Sequence, residues 1–225
     1  MQEASLNFSL VDTQSIEQFY NSVYDLLLEC LRDEDGVHAE TIISCIGGLI
    51  GEELLRAGTS INFDTQETTP GTRFIANTVN NFLFEENNIF LLYQEISEAF
   101  SIDIKAAGDP KKLLKYISSE DAEWGYVPIK IPKKHKPLTS PLLFNAKVRH
   151  AIENLCQECR VHDFSSKIYG LIVTSLFILN DTKNVLTTPM AFNILFSTII
   201  GVSKLFPLGN EEYASLVDEA NSEEQ

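Results

Sequence analysis

Basic residues are scarce in this chain: 17 Lys and Arg stand against 32 Asp and Glu, a net charge of −15 over 225 residues. Such a balance repels phosphate and argues against nucleic acid as a partner. Long apolar runs are missing as well. The two longest, 168–179 and 190–202, fall short of the about 20 residues that cross a hydrocarbon layer. The second is also interrupted by Asn193, Ser197 and Thr198. Buried core helices, and no membrane partner, are the expectation. The first eight residues, Met-Gln-Glu-Ala-Ser-Leu-Asn-Phe, hold no basic stretch leading into an apolar one, so no secretory signal is read there. Cysteine is limited to Cys30, Cys45, Cys156 and Cys159. Three of these fall on apolar helix faces, which suits reduced core thiols in a cytoplasmic compartment.

The familiar catalytic patterns are absent too. No Gly-x-Ser-x-Gly elbow, His-Glu-x-x-His pair or calcium loop occurs. Gly47-Gly48-x-x-Gly51 lies inside a predicted helix, whose amides are already bonded, so it cannot cradle a phosphate. No cofactor is implied.

What is present centres on residues 38–57. At 100° per residue, Ile42, Ile43, Cys45, Ile46, Leu49, Ile50 and Leu54 make one broad apolar arc. Beside it runs a strip of small residues, Ser44, Gly47, Gly48 and Gly51. Each mid-helix glycine costs roughly 1 kcal/mol relative to alanine. The compensation expected is the close approach of another backbone. That neighbour is either an element of the same chain or a second copy of it.

Further helices are read at 15–32, from Pro70 into the 80s with Ile75, Val79, Phe82 and Leu83 inward, at 89–100, 110–118, 140–160, 164–179 and 188–206, with a short last one after Asn210. Ser15 and Gln18 form a possible capping box, and Asp163 and Asn210 serve as caps. Pro70, Pro110, Pro141 and Pro189 each follow Thr, Asp or Ser at a predicted helix start, a recurrence that favours an all-α fold. The short link after the first helix predicts antiparallel packing on the second. Residues 120–137 cannot be helical, since Pro128, Pro132 and Pro137 crowd them. They read as a connector with an extended piece at 126–131. Residues 105–147 carry nine Lys and Arg against four acids, a local balance of +5 that leaves −20 elsewhere.

The expected architecture is therefore a compact multi-helix bundle of six to eight helices forming one domain over 1–225. Within it are a first half at 14–104, a Lys- and Pro-rich connector at 105–139 and a second half at 140–220. The halves echo each other at Val37-His38 and Val161-His162, at Gly48-Leu49-Ile50 and Gly170-Leu171-Ile172, and at Thr68-Thr69-Pro70 and Thr187-Thr188-Pro189. Offsets of 124, 122 and 119 residues fit either two related three-helix units about a pseudo-twofold axis or chance similarity between capped helices.

Three constellations are candidates for chemistry. His150, Glu153, Cys156, Cys159 and His162 supply ligand types that zinc accepts. A spacing of three drifts about 60° per step, however, so a regular helix cannot aim all five at one ion. On the plainer reading the cysteines face the core while Arg149 pairs with Glu153 on the surface. Lys130, Lys133, Lys134 and Lys136 form a possible anion patch, or a solvated linker. His38 and Glu40 stand at a helix start, where the helix dipole alone accounts for the carboxylate. Glu52 and Glu53 lie too far along that helix to join them.

Two functions are compatible with this pattern. One is a soluble interaction protein that associates with a protein partner or with itself as a homodimer, using the strip of small residues. The other is a small-ligand-binding protein or enzyme with a helical pocket between the halves. The end of the chain, Glu211-Glu212 through Glu223-Glu224, holds six acids and no Lys or Arg. It resembles the glutamate-rich C-terminal signals of some bacterial type IV secreted effectors, a resemblance that would imply a secreted effector.

Overall fold

Eight α-helices account for most of the residues described in this computed structural model, which are 12–59, 61, 63, 68–86, 88–209 and the single positions 6, 213, 214 and 216. They are α1 (Thr13–Leu31), α2 (Ala39–Ala57), α3 (Asn77–Phe84), α4 (Ile89–Ser97), α5 (Pro110–Ser119), α6 (Pro141–Glu158), α7 (Phe164–Thr182) and α8 (Thr188–Val202). The one sheet among the described residues is a hairpin of two-residue strands, β1 (Arg32–Asp33) and β2 (Gly36–Val37), with Gly36 at a φ of +113° in the turn. Residues 1–5 and 7–11, the cap Asn210, Glu211, Glu212 and the acidic end 217–225 lie outside the described residues.

Helix starts follow local side-chain chemistry. Asp109 accepts from the Lys111 amide at 2.9 Å, Asn88 from those of Phe90 and Leu91, and Asp163 from that of Ser166 at 2.8 Å. Each bond satisfies an amide that the helix itself leaves unpaired. α1 begins two residues before Ser15, with Asp12 as its cap residue; the Ser15 hydroxyl donates back to Asp12, which replaces the expected capping box.

α2 is the centre of the bundle and packs against α6, α7 and α8. Its strip of small residues is filled from within the chain. A β-carbon on Gly51 would stand 2.7 Å from the Ile199 carbonyl oxygen and 3.0 Å from the Ser203 nitrogen. One on Gly47 would stand 3.0 Å from the Leu195 oxygen. The Ser44 and Thr198 hydroxyls meet at 3.3 Å. Gly48 faces α6 instead, where its β-carbon would lie 2.8 Å from Pro141 Cβ. The backbones of α2 and α8 can touch because three turns of α2 carry no bulk on that side. Of the two neighbours expected for the strip, the element of the same chain is the one found against it.

α1 lays its buried face, Ile16, Phe19, Val23 and Leu27, chiefly on α7 rather than on its neighbour α2. Phe19 occupies the space left by Gly170, and Tyr20 stacks on Phe177 with centroids 5.2 Å apart. α7 is buried nearly all round, as its uninterrupted apolar sequence requires. Edge-on aromatic contacts of Phe90 and Tyr93 with Phe196 join α4 to α8, and the Tyr93 and Ser175 hydroxyls, 2.7 Å apart, join α4 to α7.

Pro70 does not open a helix. It stands in a turn with Gly71 at a φ of +78°, and α3 starts only at Asn77. Residues 71–74 instead pair with the chain after α8. The amides of Gly71 and Phe74 donate to the carbonyls of Phe206 and Lys204, and the Phe206 amide donates to Thr72. This pairing explains two differences from expectation at once. It holds 71–76 extended, and it stops α8 at Val202, short of Pro207. It also removes one of the three echoes between the halves, because Thr69-Pro70 and Thr188-Pro189 start different structures.

Candidate functional site

The connector is docked against the helices as a strap. Val127 is buried and fits against Gly201 of α8, where a β-carbon would collide with it. The Ser140 hydroxyl donates to the Gly125 carbonyl at 2.9 Å, and the Tyr126 hydroxyl donates to Leu138 at 3.2 Å. Trp124 Nε1 donates to the Pro70 carbonyl at 3.1 Å, and Asn193 Nδ2 to the Lys130 carbonyl at 2.9 Å. Residues 126–131 form no strand; their polar groups are held by this scatter of anchors.

Beneath the strap lies a cavity of about 600 Å³. Its wall comes from the extended segment after Pro70, from α3, the end of α5, the strap and the turn after α8. Both halves and the connector thus contribute. Leu114, Ile117, Val127 and Leu205 give it an apolar lining, while Ile75 and Trp124, 77% and 45% exposed, stand at its mouth. Ile75, expected in the core, is at the mouth because its segment is extended rather than helical.

Two cations reach this cavity. Arg73 is committed to the end of α5, donating to the carbonyls of Ser118 at 3.1 Å, Ile117 at 3.4 Å and Glu120 at 2.7 Å. Lys204 is different. Its Nζ donates to Asn80 Oδ1 at 2.5 Å, and no carboxylate among the described residues pairs with it. Burial lowers its pKa from the usual lysine value. Lys167 is the instructive contrast. Burial lowers that amine too, but Glu53 Oε1 at 2.6 Å more than reverses the effect and raises it. Lys204 is a partly desolvated amine with a neutral partner on the cavity wall.

The start of α2 forms a second polar cluster. Glu40 is buried between two imidazoles, with His135 Nδ1 2.5 Å from Oε1 and His38 Nε2 3.2 Å from Oε2. His38 Nδ1 lies 2.8 Å from Thr41 Oγ1, which also accepts the Leu138 amide at 2.9 Å. A hydroxyl, an imidazole and a carboxylate in this order have the connectivity of a hydrolytic triad. Thr41, however, is buried, its oxygen already accepts a backbone hydrogen bond, and none of the three residues lines the cavities described here. The arrangement clasps the connector onto the N-terminus of α2, and the carboxylate also suits the helix dipole there.

A third cluster is mostly interior, with Glu52 and Arg149 buried and Arg56 half-buried. Glu52 receives Arg56 Nε at 2.8 Å, Arg149 Nε at 2.9 Å and Asn145 Nδ2 at 3.0 Å. Arg149 also donates to the Leu208 carbonyl at 2.8 Å. Burial would raise the Glu52 carboxyl, but the two guanidinium groups outweigh it and hold the pKa low. Arg149 was expected to pair with Glu153 on the surface. It turns inward because the Glu52 carboxylate, 97 positions away in sequence, is presented to α6 beside the small residues of α2.

The sequence's metal candidates do not assemble. His150 and Glu153 are exposed and 3.9 Å apart, Cys159 is buried, and His162 is exposed. Cys156 is half-buried, which pushes its thiol up to about 11. Among the described residues no three His, Cys, Asp or Glu side chains are grouped to hold an ion. Lys130, Lys133, Lys134 and Lys136 are all exposed along the strap. Only Lys136 borders a cavity, a second one of about 370 Å³ that it shares with Glu120, Asp121 and Glu123. Lys204 and Asn80, a hydrogen-bonded pair on the wall of the main cavity, were missed by sequence reading. The available signal was a lysine just past the long apolar run of α8. Fold and site together define an all-α protein with a strapped cavity between its halves. Compared with protein-family models, curated proteins and solved structures, the chain matches none. No helix among the described residues is long and apolar enough to cross a membrane.

Proposed function

We propose that the protein binds a small, largely apolar molecule in the cavity under the strap, with one oxygen of that molecule directed at Lys204. The observation that carries this is an amine without a carboxylate partner among the described residues, on the wall of a mainly apolar cavity of about 600 Å³. Ligand sites are typically concave, roughly 300–1,000 Å³, mostly apolar and marked by few polar groups. Trp124 and Ile75 at the mouth offer apolar surface to close over an occupant. Self-association through the strip of small residues is not supported, because α8 already fills it.

Trp124 is the chain's single tryptophan and lines this cavity; it also lines a neighbouring one with Leu31, Phe144 and Lys147, and Leu114, which lines only the first of these two, tells them apart. The probes are 1-anilinonaphthalene-8-sulfonate and nonanol. Saturable quenching or a blue shift of Trp124 emission is expected, together with energy transfer to the naphthalene. Leu114→Asn, which places an amide on the apolar wall, should weaken both while leaving the far-ultraviolet circular dichroism unchanged. Linear, non-saturating changes, or binding indifferent to Leu114→Asn, would refute the proposal.

A further inference from the structure

We infer that Lys204 is a carbonyl-reactive amine, and that the cavity takes an apolar aldehyde or ketone and holds it as an imine. This rests on the cavity being the ligand site and goes on to name the chemical class of the ligand. Three features of the site support it. Lys204 and its hydrogen-bond partner Asn80 both line the cavity, and Lys204 is half-buried there. Its one hydrogen-bond partner, Asn80 Oδ1, is a neutral acceptor, which positions the amine without adding a negative charge to hold its proton. Apolar side chains make up much of the wall, with Arg73, Asp121 and Glu123 also on it, and burial lowers the pKa because the charged form is less well solvated. Desolvation in an apolar pocket is a recognised way to turn lysine into a nucleophile. Lys167, the other deeply placed amine, has the opposite setting beside Glu53 and is held in its charged form.

The step balances without any oxidant or reductant. The neutral Nζ lone pair attacks the carbonyl carbon, and the carbonyl π electrons move to oxygen, which takes up a proton. The nitrogen then loses a proton to give a carbinolamine. The hydroxyl takes up a second proton and leaves as water while the nitrogen lone pair forms the C=N bond, and loss of the second nitrogen proton leaves the neutral imine. Asp121 and Glu123, exposed carboxylates that also line the cavity, are candidates to exchange these protons with solvent.

The full-length protein is incubated with nonanal and sodium cyanoborohydride near neutral pH, and the reduced adduct is mapped by peptide mass spectrometry. Nonanol, which cannot form an imine, serves as the non-covalent control read by Trp124 emission. Burial lowers the Lys204 pKa and so raises its neutral fraction, and labelling at Lys204 should therefore clearly exceed that at exposed Lys130. Lys204→Arg, which retains charge and length, should abolish the preferential adduct while nonanol still perturbs Trp124. If nonanol binds but labelling is spread evenly over the lysines, the imine is refuted and the ligand site survives. If neither nonanol nor nonanal alters Trp124 emission, both proposals fall together.

Discussion

Val127 fills the notch that Gly201 leaves in α8. A strap made of irregular chain stays in place because one of its apolar side chains enters the helix surface. Gly201→Ala should gain about 1 kcal/mol of helix propensity and lose more to the collision, for a net destabilisation of about 1–2 kcal/mol. Val127→Ala should relieve the collision, so the double variant should be more stable than the two single losses would sum to, with a coupling of about 0.5–3 kcal/mol. Urea denaturation of the four proteins measures it. Strict additivity would mean that the strap does not depend on this contact.

The strip on α2 makes a graded prediction. At Gly51 a β-carbon meets backbone atoms, at 2.7 Å and 3.0 Å, that cannot turn aside. At Gly47 the nearest approach is 3.0 Å to a carbonyl oxygen and 3.1 Å to a side chain. Gly51→Ala should therefore cost about 1–3 kcal/mol, and Gly47→Ala should cost clearly less. Thermal unfolding ranks them. Sedimentation of the same variants should give unaltered masses, because the strip joins two helices of one chain. A changed mass would restore the seam between copies.

The all-α fold was legible because its signals are local. Asp109-Pro110, Ser140-Pro141 and Thr188-Pro189 each carry a helix start within two or three residues, and the α7 run announces burial by its own composition. Pro70 shows where such reading fails. The same Thr-Pro signal stands there in a turn, because residues 71–74 have partners at 204–206 that nothing nearby reveals. The site was less legible for the same reason. Arg149 reads as a surface residue until Glu52 is brought against it, and Lys204 reads as a helix-end cation until the strap closes over it. Glu40 was explained by the helix dipole alone, whereas its nearest partner, His135, comes from the connector.

The Lys167–Glu53 pair predicts loss of stability at alkaline pH. The folded pKa of Lys167 is raised, with Glu53 outweighing the effect of burial. The stabilisation is therefore fully present below the unfolded lysine value of about 10.4 and is lost as pH rises through the higher folded value. Glu53→Gln should cost about 1–3 kcal/mol at pH 7, between the ranges for exposed and buried pairs. It should also remove this part of the alkaline decline. Urea midpoints of wild type and variant that stay parallel from pH 8 to 11 would contradict it.

Glu52 predicts the opposite edge. Its folded pKa is depressed, because Arg149 and Arg56 outweigh the burial that would raise it. The stabilisation it provides is complete above the unfolded carboxylate value of about 4.3 and is lost as pH falls through the lower folded value. Glu52→Gln leaves two guanidinium groups at an interior site without their anion, and should cost about 3–5 kcal/mol at pH 7. Arg149→Met removes one cation and fills much of the same space, but it strips the Leu208 carbonyl of its donor. It should cost less, since Arg56 still faces the carboxylate. Urea midpoints between pH 7 and pH 3 separate the cases: the wild type should lose stability steeply toward pH 3, and the Glu52→Gln curve should be flatter. If the two curves fell in parallel, the acid sensitivity would belong to other carboxylates, and Glu52 would not be the group that ties α2 to α6.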